Sequence, residues 1–199
     1  MPKAKHLVQN SPRDYLSYSQ MVLWERSPKT YKRVYLYGER IPETEAMKLG
    51  KEVAEMLEKD EENEDMALEA VRLQIPKYQY REKELRVSVK LRGNKINLLG
   101  RLDCYSKSKF GEVKTGKKWT QAMADKSDQI TFYALIYYLL YKKFPAMWLH
   151  WIETKNGITG RVEHFKTERN LPQLMRIMDR IALAWVGINK MVEEELNKI

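Results

Sequence analysis

The stretch Gly100-Arg101-Leu102-Asp103, followed by Gly111-Glu112-Val113-Lys114-Thr115-Gly116, decides how this chain is read. Just before it, Leu85, Val87, Val89 and Leu91 alternate with Arg86, Ser88 and Lys90. That period of two predicts a strand with one wet face. Tyr78 and Tyr80 begin it earlier on the opposite phase. Arg92-Gly93-Asn94-Lys95 is a hairpin turn, and Ile96 to Tyr105 is a second strand. Ser106 to Lys109 turns again, and Phe110 to Lys114 is a third strand. Glu112 and Lys114 are two apart, so they share a face. The tight antiparallel turn sets Asp103 opposite them. Two carboxylates then converge on one point with an ammonium beside them. Such oxygen ligands suit Mg2+ or Mn2+, with the backbone carbonyl of Val113 as a further donor. Taken alone, D…E-x-K is a short pattern that describes a strand salt bridge equally well.

Outward from this centre the pattern is helical. On the C-terminal side a long helix is expected over 119–143, then strands at 146–154 and 158–166 joined across Asn156-Gly157. A final amphipathic helix follows over 170–198. On the N-terminal side, residues 1–15 read as a loose arm. Ser17 or Ser19 caps a helix starting near Gln20, and Pro28 breaks or restarts it. Further helices are expected over 44–59 and from Met66 to Leu73. The chain thus reads as one α/β domain over 1–199. It has a helical portion at 16–75, the sheet and long helix at 76–167, and a C-terminal helix at 168–199.

Composition narrows the function. The net charge is +9, but residues 52–69 alone carry nine acids and one lysine, a local −8 that leaves +17 on the rest. A basic body of this kind points to a polyanion, with nucleic acid ahead of a membrane. A lysine-rich solvated surface is the plainer explanation. One cysteine, Cys104, excludes a disulfide framework, a four-cysteine zinc site and an iron–sulfur cluster held by four cysteines. The three histidines are scattered and do not form an H-E-x-x-H zinc motif. The longest apolar run, Phe132 to Tyr141, is too short to span a bilayer. No secretory leader is visible, so a cytoplasmic location is expected.

The segment Gly100 to Gly116 resembles the PD-(D/E)XK phosphodiesterase superfamily, where G-x-x-D on one strand precedes E-x-K-T-G on the next. Gln129 and Tyr133 resemble the Q-x-x-x-Y motif of its RecB-like branch, which includes exonucleases resembling lambda exonuclease. They are four apart on the expected helix and share a face. Leu16-Ser17-Tyr18-Ser19-Gln20, with Trp24, Ser27-Pro28 and Tyr31, is similar to the branch's N-terminal segment. Ser27 stands where the CRISPR-associated iron–sulfur members carry a cysteine, so the chain resembles a cluster-free relative.

The resemblance implies a restriction-endonuclease-like core with a mixed sheet of about five strands. It also implies a Mg2+- or Mn2+-dependent DNA nuclease, an exonuclease by branch, serving recombination, repair or mobile-element processing. Asp103, Glu112, Lys114, Gln129 and Tyr133 would be catalytic, with metal on Asp103, Glu112 and the Val113 carbonyl. The branch often adds a helical His or Glu. Here Ala54 holds that position, with Glu55 or Glu52 as neighbouring substitutes. Lys117, Lys118, Trp119, Ser19 and Arg33 are candidate contacts to single-stranded DNA or duplex ends. Glu82 and Glu84 read as a solvated strand face, with an accessory ligand as the alternative. A homo-oligomer or a recombination protein is the expected partner. The competing reading is a catalytically weak DNA-binding or assembly module on the same fold.

Overall fold

The computed structural model describes residues 13–198, so most of the expected N-terminal arm lies outside the described residues. The meander forms as β2 (Tyr80–Leu91), β3 (Asn94–Ser106) and β4 (Lys109–Gly116). Arg92 and Gly93 make its first turn, with φ of 47° and 81°. Two consecutive positive φ values let a two-residue loop follow the right-handed twist of the strands. β5 (Ala146–Thr154) and β6 (Ile158–Thr167) complete the run. β2–β3, β3–β4 and β5–β6 are antiparallel, whereas β4–β5 is parallel. The sheet is therefore mixed. A two-residue strand not expected from the sequence, β1 (Leu16–Ser17), pairs in parallel with Leu98 and Leu99.

β2 covers one edge of β3 along its length, so β1 and β4 share the other edge. β1 takes Leu98 and Leu99, and β4 begins only at Cys104. Between them the edge of β3 opens into a fork that contains Gly100 to Asp103. The ladder with β2 also lapses there, running Arg81–Cys104 and then Lys83–Leu102 without Glu82 and Asp103. The side-chain alternation slips at the same place. Leu98, Leu102 and Tyr105 join one hydrophobic cluster, whereas Cys104 joins the other.

Helices cover both faces. α1 (Tyr18–Arg26), α6 (Asp128–Tyr141) and α7 (Leu171–Leu196) pack on one face, and α3 (Glu45–Lys59) and α4 (Met66–Gln74) on the other. This is the α/β arrangement expected, consistent with a restriction-endonuclease-like core. Local chemistry sets the helix starts. Ser17 and Gln20 form a capping box on α1, and Pro28 opens the short α2 (Pro28–Tyr31). A π-helical turn, Lys32–Leu36, follows α2. Thr44 caps α3 and Asn170 caps α7.

The single helix expected over 119–143 is instead two, α5 (Gln121–Asp125) and α6. The Ser127 hydroxyl caps α6, and buried Arg169 donates to the carbonyls of Ala124 and Ser127 at 2.9 and 3.0 Å. A continuous helix would bond the Ala124 carbonyl to the Asp128 N–H, but that carbonyl accepts instead from the Ser127 N–H at 3.2 Å and from Arg169. Among the described residues, no helix is long and apolar enough to cross a membrane.

Candidate functional site

Asp103 lies in the fork, where β3 and β4 part. The Val113 N–H donates to Asp103 Oδ2 at 2.7 Å and bridges the gap that the ladder leaves. Glu112 is only 2% exposed. Its Oε1 accepts from Lys114 Nζ at 2.6 Å, and its Oε2 is buried with no hydrogen-bond partner. Lys114 Nζ also donates to Gln129 Oε1 at 2.9 Å, and Gln129 Nε2 donates to Tyr133 Oη at 3.0 Å. The break between α5 and α6 puts Gln129 in the first turn of α6, which aims it at β4. Gly100 makes the approach of α6 possible. A Cβ there would meet Ile136 Cδ1 at 2.9 Å and Tyr133 Cδ1 at 3.2 Å.

Asp103, Glu112, Val113, Lys114 and Gln129 line a cavity of about 410 Å³. Arg81 and Glu82 close it from β2, and Met47, Gly50, Lys51, Ala54 and Leu57 from α3. A second cavity of about 550 Å³ shares Lys114 and Gln129, with Tyr18, Trp119, Met123 and Lys126 among its walls. The two form one groove past the Lys114 ammonium.

Burial dominates the electrostatics of the site. Burial pushes the Asp103 carboxyl well above the usual range, and the Glu112 charge adds to this. Burial likewise raises Glu112, against the lowering effect of Lys114. Burial pulls the Lys114 ammonium down, but the facing Glu112 carboxylate outweighs it and the group ends raised. Two buried carboxylates, one with an orphaned oxygen, fit a hard divalent cation. Among the described residues, however, no three His, Cys, Asp or Glu side chains stand close enough together to hold a metal ion between them.

The remaining expected residues are placed unevenly. Glu52 and Glu55 are exposed and do not line the cavity. Ala54 does, whereas Glu52 and Glu55 lie about 200° and about 100° round the helix from it. Trp119 walls the second cavity, whereas Lys117 and Lys118 border a separate cleft with Trp151 and Lys155. Ser19 is exposed and lies 3.1 Å from the Ser17 hydroxyl, away from both cavities. Arg33 sits on the outer side of the π-helical turn, paired with Glu39 at 2.6 Å, and reaches neither cavity. Glu84 is exposed beside Arg86, as a solvated strand face requires. Glu82 departs from that expectation and lines the cavity. Tyr18, read only as part of the N-terminal segment, walls the groove.

No protein-family model and no curated protein sequence matches the chain. Solved structures do. A chain described as "Putative exonuclease", from Eubacterium rectale, superposes with a TM-score of 0.57 at 12% identity, over 100% of this chain and 88% of that one. The structure of SSO0001 superposes with a TM-score of 0.51 at 16% identity, over 85% of this chain and 76% of that one. At such identities the likeness is one of fold.

Proposed function

We propose that the chain is a metal-dependent DNA nuclease of the PD-(D/E)XK superfamily, RecB-like branch, acting as an exonuclease. The observation that carries this reading is the joint placement of Asp103, Glu112, Lys114 and Gln129 on one cavity, with Glu112 Oε2 buried and unpartnered. The fold shared with the Eubacterium rectale structure, and that structure's description, support it. Asp103, Glu112 and the Val113 carbonyl would hold Mg2+ or Mn2+. When bound, the cation supplies Lewis acidity at a phosphoryl oxygen and lowers the pKa of water. Glu112 and Gln129 fix the Lys114 ammonium between them and occupy two of its three donors. The third is left to orient the attacking water or to meet charge building on the phosphate. Tyr133 holds the Gln129 amide so that its carbonyl, not its NH2, faces Lys114. Trp119 and Tyr18 offer faces for bases beside the reacting phosphate.

The test is digestion of end-labelled linear, circular and single-stranded DNA with Mn2+ or Mg2+. Asp103→Ala and Glu112→Gln should each abolish cleavage and leave the circular dichroism spectrum unchanged. Retained cleavage in either variant overturns the assignment. The second reading, a DNA-binding or assembly module without turnover, is favoured by Ala54 on the cavity wall. It predicts salt-dependent DNA binding with no metal-dependent cleavage of any of the three substrates.

A further inference from the structure

We propose that Glu82 is the third carboxylate of the site, a cation ligand delivered by β2 from the position opposite Asp103 and held by Arg101 until the cation arrives. This rests on the metal-dependent reading above. Glu82 has φ 52°, in the interior of a strand. A residue with a Cβ adopts that left-handed conformation at a cost, and such strain collects at functional positions. The strain falls at the site itself. Registering the pairs on either side places Glu82 directly across from Asp103, at the step the β2–β3 ladder leaves out. The pairs of β3 with β4 place Glu112 opposite Asp103 on the other side, one step beyond the end of that ladder. Glu82, Asp103 and Glu112 therefore occupy matching positions on three adjacent strands, and all three line the cavity.

Two further observations point to a ligand. Glu112 Oε2 is buried in this cavity with no partner. α3 contributes Met47, Gly50, Lys51, Ala54 and Leu57, none with a side-chain oxygen. Glu82 is the remaining carboxylate among the residues lining the cavity, and hard divalent cations take oxygen ligands. As the structure stands, Glu82 forms an ion pair with Arg101, the second residue of the Gly100–Asp103 motif. Arg101 is 65% exposed and Glu82 24%. An exposed guanidinium is a replaceable counter-ion, because water can take over its hydrogen bonds at little cost. Release from Arg101 would let Glu82 turn to the face of Asp103 and Glu112.

The test is calorimetric titration of Mn2+ into the metal-free full chain, with thermal unfolding of each variant beside it. Glu82→Gln should weaken Mn2+ binding by about ten-fold or more. Glu84→Gln removes the same charge from the same strand outside the cavity and should leave binding within two-fold. Arg101→Gln should tighten binding, because Glu82 is then free. Glu82→Gly relieves the positive φ, so its melting temperature should match or exceed wild type while its Mn2+ affinity falls. That pairing separates lost ligation from a damaged fold. If Glu82→Gln binds Mn2+ like Glu84→Gln while Asp103→Ala does not bind, Glu82 is only the partner of Arg101. The proposal is then wrong and the nuclease reading stands. If wild type takes up no Mn2+, both fall.

Discussion

Burial opposes charge on Asp103 and Glu112, and this has a sign that can be read in stability. The folded-state pKa of Asp103 lies well above its usual 3.8, from burial first and the Glu112 charge second. A raised carboxyl stabilises the fold fully only below its unfolded pKa, and that contribution is lost as pH rises through the folded value. At neutral pH the metal-free protein therefore carries a cost that Asp103→Asn removes, while the amide oxygen still accepts from the Val113 N–H. The variant should melt above wild type at pH 7, by about 1–3 kcal/mol of stability. The gap should close as pH falls towards 4. Buried His150, pulled down to about 3 by burial and by His164, titrates with the opposite sign. The difference between the two proteins cancels it, and a wild type more stable at pH 7 would show the Asp103 charge to be already compensated. Lys114 tests the chemistry. Lys114→Met removes the group that links Glu112 to Gln129, and single-turnover cleavage at saturating Mn2+ should fall by about 10²–10⁴ while DNA still binds. Turnover within a few-fold of wild type would reduce Lys114 to a counter-ion.

The α5–α6 corner shows why part of this architecture was legible and part was not. A single helix is the reading of 119–143 by apolar spacing, although Ser127, the N-cap of α6, is a local start signal within it. The corner is also bound by Arg169, some forty residues on, whose guanidinium donates to Thr131 Oγ1 at 2.7 Å and Thr167 Oγ1 at 2.6 Å as well as to the Ala124 and Ser127 carbonyls. Arg169→Leu keeps much of the volume but removes a buried charged donor from the Ala124 and Ser127 carbonyls and from the Thr131 and Thr167 hydroxyls. It should cost about 3 kcal/mol or more in chemical denaturation and lower turnover through a misplaced Gln129. Loss of stability with turnover intact would show that the corner does not set Gln129. By contrast, β2 to β4 could be read almost to the residue, because alternation and Gly93 act locally. The G-R-L-D and G-E-V-K segments were legible because a strand pair brings them together by register alone. Glu82 was not, since its strain is imposed by a fork that depends on where β1 and β4 attach to β3. Glu52 and Glu55 misled for a simple reason. Proximity in sequence on a helix places a side chain around the axis, not towards the site.

Charge is distributed along the chain in a way that bears on how DNA would approach. The acidic run of residues 52–69 belongs to the α3–α4 layer, and the +17 balance lies elsewhere. Lys114 and Lys126 line the groove, and Lys117 and Lys118 stand on the cleft beyond Gly116. If about five phosphates are neutralised on a duplex, the slope of log affinity against log salt should be near −4.5. Neutralising one contacting lysine should make it shallower by about 0.9. Lys126→Gln is expected to do so, since Lys126 shares the groove with Lys114. Arg33→Gln is expected not to, because Arg33 is spent on Glu39 outside both cavities. Fluorescence anisotropy on a labelled duplex between 50 and 200 mM salt, roughly the range over which such contacts are titrated away, separates the two variants. A flat response in wild type would make the basic charge ordinary surface. Equal effects of Lys126→Gln and Arg33→Gln would mean that DNA is held by overall charge and not by the groove that leads to Lys114.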